Sequence, residues 1–300
     1  MPHDPLILRS QDLLLDCRAP IPGGAHIMGI LNVTPDSFSD GGLFLEPARA
    51  SERAAEMVKE GARIVDVGGA SSRPKGNAYG EGASLISARE EMDRILPVIE
   101  GISDALPETW ISVDTFRSDV AAAALEAGAH MINDITALRF DPRIAQVAAA
   151  ADAPIALMHS VGLPGEMPHI VDSTDVVSRV TKELQEACTK ARSAGCHQII
   201  VDPGFGFGKT HLGNLALIEN TNSLATLGLP VLIGVSRKTT IGWASGSEGD
   251  VLPPLERLSG SLAVTAVGVM KGASLVRTHD VAETRKFLSA LHVTSTSGTG

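Results

Sequence analysis

Residues Trp110–Ile135, WISVDTFRSDVAAAALEAGAHMINDI, contain the unit from which the whole chain is built. An apolar, β-branched run, Trp110–Val113, ends in Asp114 and a short polar turn. A helical pattern covers Ser118–Ala127, Gly128 closes it, and a second apolar run opens at Met131. Glycine just past the last helical residue supplies the left-handed backbone with which many helices end. Both strand runs are largely apolar, as expected for parallel strands covered by helices.

The same alternation extends in both directions. Further apolar runs lie at His26–Val33, Arg63–Val67, Pro154–Met158, Gln198–Val201, Pro230–Val235 and Leu275–Thr278. Helical patterns with a period near 3.6 fall at Pro47–Glu60, Ser84–Leu106, Pro142–Ala151, Asp172–Ala194, Leu215–Leu227, Leu255–Lys271 and Val281–Leu291. Gly61, Gly195, Gly228 and Gly272 stand where Gly128 stands in the first unit. Eight strand–helix units predict an α/β protein with a (β/α)8 TIM barrel; a doubly wound sheet of eight strands is the alternative. A barrel takes about 250 residues, so one fits in 300. Residues 1–25 are expected to form an N-terminal hairpin closing the bottom, 26–292 the barrel, and 293–300 (VTSTSGTG) a flexible tail.

Composition narrows the partners. Hydrophobic residues make up 44% of the chain and charged residues 20%, enough for a large core. A net charge of −10 argues against a nucleic-acid or anionic-membrane surface, although a local basic pocket can still hold a small anion. Cys17, Cys188 and Cys196 form no CxxC pair, which suits a reducing, cytoplasmic setting. The N-terminus lacks the pattern of a signal peptide, and no apolar stretch approaches the roughly 20 residues of a membrane span.

In such a barrel the chemistry sits at the C-terminal strand ends. Here those ends are polar in turn: Asn32, Ser72 and Arg73, Asp114, Asn133 with Asp134, His159, Asp202, Ser236 to Lys238, and Arg277 with His279. Two carboxylates and an amide (Asp114, Asp202, Asn133) suit a flat heterocycle rich in N–H donors and ring nitrogens. Lys238, Arg277 and Arg73 supply cations, and an arginine plane can stack on an aromatic ring. Arg73, His279 and the glycine-rich loop 32–42 suit a phosphate or diphosphate. Asn32 can offer its amide oxygen to Mg2+, which takes few protein ligands beside phosphate oxygens and water. In DPGFGFGKT, the ending Gly208-Lys209-Thr210 is like that of a nucleotide-binding P-loop, but Pro203 stands where its first glycine belongs, so that reading fails. Gly204, Gly206 and Gly208 are expected to turn a loop over the pocket, with Phe207 at the rim.

The motifs GILNVTPDSFSDGG, VDVGGxSxRP, SVDT, IND, LMH, DPGFGFGK, GVSRK and VRTHDV, in this order and spacing, resemble the dihydropteroate synthases from about residue 27 to 290. That resemblance implies a cytoplasmic, homodimeric TIM-barrel transferase of folate biosynthesis, the target of sulfonamides. It would condense a (7,8-dihydropterin-6-yl)methyl diphosphate with 4-aminobenzoate, using Mg2+. It further implies catalytic roles for Asp114, Asp202, Lys238 and Arg277. Pterin contacts would come from Asp114, Asn133, Asp202, Lys238, Arg277 and Met158. Asn32, Ser72, Arg73, Arg277 and His279 would hold the diphosphate, with Asn32 also toward the metal. Phe38, Ser72, Pro74, Phe207, Lys238 and Ser236 would shape the aminobenzoate site.

The chain departs from the family pattern in places. GGASSRP replaces the usual GGESTRP, so Ala70 stands for a carboxylate, and the loop after Pro74 is longer. Ser160, Ser259 and Thr239 also differ from the common residues. These changes cluster near the aminobenzoate and loop region. Two readings follow: a competent synthase with altered affinity for aminobenzoate or sulfonamides, which is favoured, or a pterin-binding paralogue that is a poor synthase. A methyltetrahydrofolate-binding methyltransferase is a further alternative, but has no need of the diphosphate loop. Asp66, inside a strand, reads as a buried, hydrogen-bonded carboxylate; Trp110 and Trp243 read as packing residues.

Overall fold

The structure, a computed structural model, describes residues 4–18, 21, 24–34, 47–70, 86–162, 175–247 and 250–296. Two short strands, β1 (Ile7–Ser10) and β2 (Leu13–Asp16), pair antiparallel as the expected hairpin. Eight parallel strands follow: β3 (His26–Asn32), β4 (Ile64–Gly68), β5 (Trp110–Asp114), β6 (Met131–Asp134), β7 (Ile155–Met158), β8 (Ile199–Asp202), β9 (Leu232–Ile233) and β10 (Leu275–Thr278). Their order in the sheet is β8-β7-β6-β5-β4-β3-β10-β9. The two ends meet: Val201 bridges Val231 in parallel, and its N–H donates to the Pro230 carbonyl at 3.0 Å. The sheet therefore closes into a barrel, and the doubly wound alternative falls.

The helices are α1 (Pro47–Glu60), α2 (Ala88–Ala105), α3 (Ser118–Glu126), α4 (Ile144–Ala150), α5 (Val176–Ser193), α6 (His211–Glu219), α7 (Thr221–Ala225), α8 (Thr239–Ser245), α9 (Leu258–Met270) and α10 (Val281–Thr296). Gly61, Gly128, Gly195, Gly228 and Gly272 all have positive φ, as their place after a helix requires. Four differences from the expected pattern have local causes. The helix expected at Leu215–Leu227 begins earlier, because the Thr210 hydroxyl accepts from Gly213 N at 2.9 Å, and it breaks at Asn220 into α6 and α7. The run Pro230–Val235 yields only a two-residue strand: Pro230 has no N–H, and the Val231 N–H goes to Ser274 Oγ at 3.2 Å. The seven residues of α8 carry too little periodicity to be read. Residues 293–296, expected in a flexible tail, extend α10 instead. There Thr294 Oγ1 donates to the Ala290 carbonyl at 2.8 Å and Ser295 Oγ to His292 at 3.0 Å, so the hydroxyls serve the helix rather than oppose it. Residues 297–300 lie outside the described residues.

Alternation along each strand sorts the core into two parts. Outward residues such as Val65, Val67, Ile132, Leu157, Ile199 and Val276 pack with helix residues such as Met57, Ile95, Ile99 and Leu184. The lower inward positions form a second cluster with one residue from every barrel strand: Met28, Ile64, Trp110, Met131, Ala156, Ile200, Leu232 and Leu275. Leu8, Leu15 and Cys17 from the hairpin region pack against it, so the bottom is stoppered. Gln198 fastens the stopper, accepting from Arg9 N at 2.7 Å and donating to Arg9 O at 2.9 Å. Above this layer the same inward faces turn polar. Trp110 is wholly packing, as expected; Trp243 stacks on His211 with ring centroids 4.9 Å apart.

Leu8 is fully buried in the stopper. Leu8→Ala should destabilise the chain by about 2–5 kcal/mol in urea unfolding while leaving ligand affinity at the opposite end intact. A cost below about 0.5 kcal/mol would show that the hairpin is not part of the core.

Candidate active site at the barrel mouth

The upper inward positions of adjacent strands carry Asp66 on β4, Asp114 on β5 and Asn133 on β6; β10 brings Arg277 to meet them. The Arg277 guanidinium donates through Nε to Asp66 Oδ2 at 2.6 Å and through Nη2 to Asp114 Oδ2 at 2.7 Å. Asn133 Nδ2 donates to the same Asp66 oxygen at 3.0 Å. Asp66 is fully buried, whereas Arg277 keeps 20% of its side chain exposed toward the mouth. A buried carboxylate costs stability unless a cation and hydrogen bonds answer it, and Asp66 has both. Burial opposes the charge on Arg277, but Asp66 and Asp114 more than offset it and hold the pKa above the ordinary arginine value. Asp66 is thus the buried carboxylate expected, and also the anchor of Arg277, which the sequence did not reveal.

The opposite wall comes from β8 and the segment after β9. Asp202 Oδ1 accepts from Gly204 N at 2.6 Å, and burial raises the carboxyl against the pull of Lys238. Lys238 Nζ donates to the Phe205 carbonyl and lies 4.4 Å from the Phe207 ring centroid. Burial lowers Lys238 to about 7, with Asp202 resisting and Arg277 adding to the fall. Both walls thus act on the same ammonium, as expected for groups converging on one mouth. Gly234 leaves them room: a Cβ there would stand 3.6 Å from Arg277 Cβ and 4.0 Å from Lys238 Nζ. Phe207 packs with Met158, Phe116 and Ile135 in an apolar patch, so two residues expected in separate subsites share one wall.

Ser236 and His279 are also neighbours, with Oγ and Nδ1 3.1 Å apart, and the His279 N–H reaches the same hydroxyl at 3.2 Å. Burial and then the charges of Arg237 and Arg277 lower His279 to about 3, so it offers a neutral imidazole rather than a cation. Asn32 ends β3 beside Gly68, where an added Cβ would lie 3.6 Å from Asn32 Oδ1 and 3.7 Å from Asp114 Oδ2. Phe38, Ser72, Arg73 and Pro74 lie outside the described residues. Asp134 turns away from the mouth. It accepts from Thr136 N, Thr136 Oγ1 and Leu138 N at 2.7–2.8 Å and so builds the turn after β6. His159 is scaffold: its Nε2 pairs with Glu183 Oε2 of α5 at 3.0 Å. Sequence reasoning also missed Asn214, whose Oδ1 accepts from Gly206 N at 2.7 Å and whose Nδ2 donates to Thr240 Oγ1 at 3.0 Å. No local motif marks it.

Comparison with known proteins agrees with this geometry. The family described as pterin binding enzyme matches residues 28–279. The dihydropteroate synthase of Escherichia coli K12 is 40% identical over 271 residues, 90% of this chain and 91% of that protein. This chain belongs to the dihydropteroate synthase family. Among solved members, the Xanthomonas albilineans dihydropteroate synthase with 4-aminobenzoic acid superposes with a TM-score of 0.84 at 38% identity, covering 97% of this chain and 98% of that one. The Yersinia pestis dihydropteroate synthase in a sulfonamide drug complex gives 0.86 at 36% identity, covering 96% and 99%. Of the residues that resemblance to the dihydropteroate synthases singled out, the fold gathers Asn32, Asp114, Asn133, Met158, Asp202, Phe207, Ser236, Lys238, Arg277 and His279 at one end of the barrel.

Burial raises the Asp114 carboxyl from 3.8 to about 7, with Arg277 opposing and Asp66 reinforcing. Between those values the folded chain holds a proton that the unfolded chain has released, so this group's contribution to stability falls as the pH rises. Lys238 and Lys209, each lowered to about 7, begin to lose their protons only at the top of that window. Asp114→Asn should therefore gain stability relative to the native chain from about pH 4 to pH 7, by up to about 1.4 kcal/mol per pH unit. Urea unfolding at pH 5 and pH 7 measures this; a difference that does not change with pH would contradict it.

Proposed function

We propose that the protein joins 4-aminobenzoate to the methylene carbon of a (7,8-dihydropterin-6-yl)methyl diphosphate, giving 7,8-dihydropteroate and diphosphate. The observation that carries this reading is the pairing, in one mouth, of the Asp66-anchored Asp114/Asn133/Arg277 cluster with Asp202 and Lys238. Asp114, Asn133 and Asp202 present fixed oxygens and an amide to the ring nitrogens and N–H groups of a pterin. Arg277 lays its planar cation across the ring, and Met158 and Phe207 supply apolar surface.

The chemistry asks little beyond charge placement. The C–O bond to diphosphate breaks, the leaving group keeps the electron pair, and the electron-rich pterin shares the positive charge left on the methylene carbon. Asp114 and Asp202, when ionised, favour that charge, while Arg277 and Lys238 neutralise the departing anion. The amine lone pair of 4-aminobenzoate forms the new C–N bond, and its proton is lost to solvent. Asn32, Ser72, Arg73 and His279 are assigned to the diphosphate, and Phe38, Ser72, Pro74, Phe207, Lys238 and Ser236 to the aminobenzoate.

Mg2+ is assigned to the diphosphate end. Asn32 would offer its amide oxygen there as a hard donor, and among the described residues no three His, Cys, Asp or Glu side chains gather as a metal cage. That donor set suits an ion that keeps its water and arrives with phosphate. When bound, Mg2+ supplies neutralisation of the leaving group. A homodimer is assigned by the likeness to the dihydropteroate synthases. Three buried free cysteines support a cytoplasmic setting; among the described residues no helix is long and apolar enough to cross a membrane.

A coupled assay with pterin diphosphate and 4-aminobenzoate should give dihydropteroate in Mg2+ and little after chelation, with sulfonamides competing against aminobenzoate. Lys238→Ala should lower kcat/KM on the order of 100-fold or more. Asp202→Ala should abolish calorimetric binding of a pterin analogue. Tight pterin binding without product would instead support the paralogue reading.

A further inference from the structure

Lys209 is used by no step of the reaction above, yet among the described residues it is one of the most deeply buried cations, only 5% exposed. Its Nζ donates to three backbone carbonyls: Gly204 at 2.7 Å, His159 at 3.2 Å and Phe207 at 3.2 Å. Burying an ammonium is costly, and methionine would fill the same space without that cost. Burial lowers Lys209 to about 7, with Asp202 resisting. What the ammonium gains is a tie between three separated points: the chain just past β7 and the two shoulders of the 204–208 turn.

That turn needs tying. Gly204, Gly206 and Gly208 have φ of +67°, +87° and +70°, and glycines have little preference for one such shape over others. The turn presses on its neighbours on both sides. A Cβ on Gly204 would fall 1.7 Å from the His159 carbonyl oxygen, and one on Gly206 would fall 2.9 Å from Lys238 Cδ. It also supplies both contacts that hold the Lys238 ammonium, the Phe205 carbonyl and the Phe207 ring.

We propose that Lys209 is a positioning residue: its buried ammonium clamps the 204–208 turn to the end of β7, and the clamped turn sets Lys238 in the mouth. The resemblance of Gly208-Lys209-Thr210 to a phosphate-binding loop is thus only local, because this lysine points into backbone carbonyls and not toward an anion. The inference rests on the synthase reading.

The test is a double-mutant cycle on the full chain with Lys209→Met and Lys238→Met, read as kcat/KM for the pterin diphosphate, with the thermal midpoint followed in parallel. Lys209→Met alone should lower kcat/KM roughly tenfold or more, with the midpoint within a few degrees of native. Added to Lys238→Met it should cost less than about twofold, because the residue it positions is already gone. Full multiplication of the two losses, or a single variant within about twofold of native, would overturn the proposal. Lys209→Gln serves in the same cycle if the methionine variant does not fold, and failure of both to fold would make the residue structural only and also overturn it. If the native chain forms no dihydropteroate, the synthase reading fails on its own, and the same cycle is read by calorimetry as pterin-diphosphate affinity.

Discussion

One guanidinium organises the upper half of the barrel. Arg277 crosses from β10 to two carboxylates on β4 and β5, and Asn133 on β6 shares one of them. Without Arg277, Asp66 would be an uncompensated charge in the core; without Asp66, the arginine would keep only its bond to Asp114. The pairing fixes the plane of the cation before any ligand arrives. It also means that a ligand meets Asp114 and Arg277 already bonded to each other.

The fold was legible because the period of the sequence changes cleanly from strand to helix. Each of the eight apolar runs became a strand, and the five glycines after helices sit in the backbone region predicted for them. What did not read was short or cooperative. The helix α8 has seven residues, and the strand β9 has two because a proline and a serine side chain take over its ladder. The polar serines and threonines after His292 looked like a tail, yet two of their hydroxyls bond to helix carbonyls behind them.

The site was legible for a different reason. Polar residues ending apolar strands are conspicuous one by one, and closure of the barrel brings them together. Asp114, Asn133, Asp202, Lys238 and Arg277 were found in that way. The residues that support them were not. Asp66 sits within an apolar run and looks like any buried acid until Arg277 is seen against it. Lys209 and Asn214 act on backbone groups, so nothing in their sequence neighbours betrays what they touch. His279 was read as a diphosphate ligand; that burial, and then the neighbouring arginines, lower its pKa to about 3 is a property of the assembled site and not of the motif.

The hairpin below the barrel has a consequence for passage through the site above it. With Leu8 and Leu15 packed into the floor, the described residues leave the mouth as the way in and out. A ligand held on Asp114, Asn133 and Asp202 would therefore come and go past the same rim. The proposed synthase would send both substrates and both products through that one end.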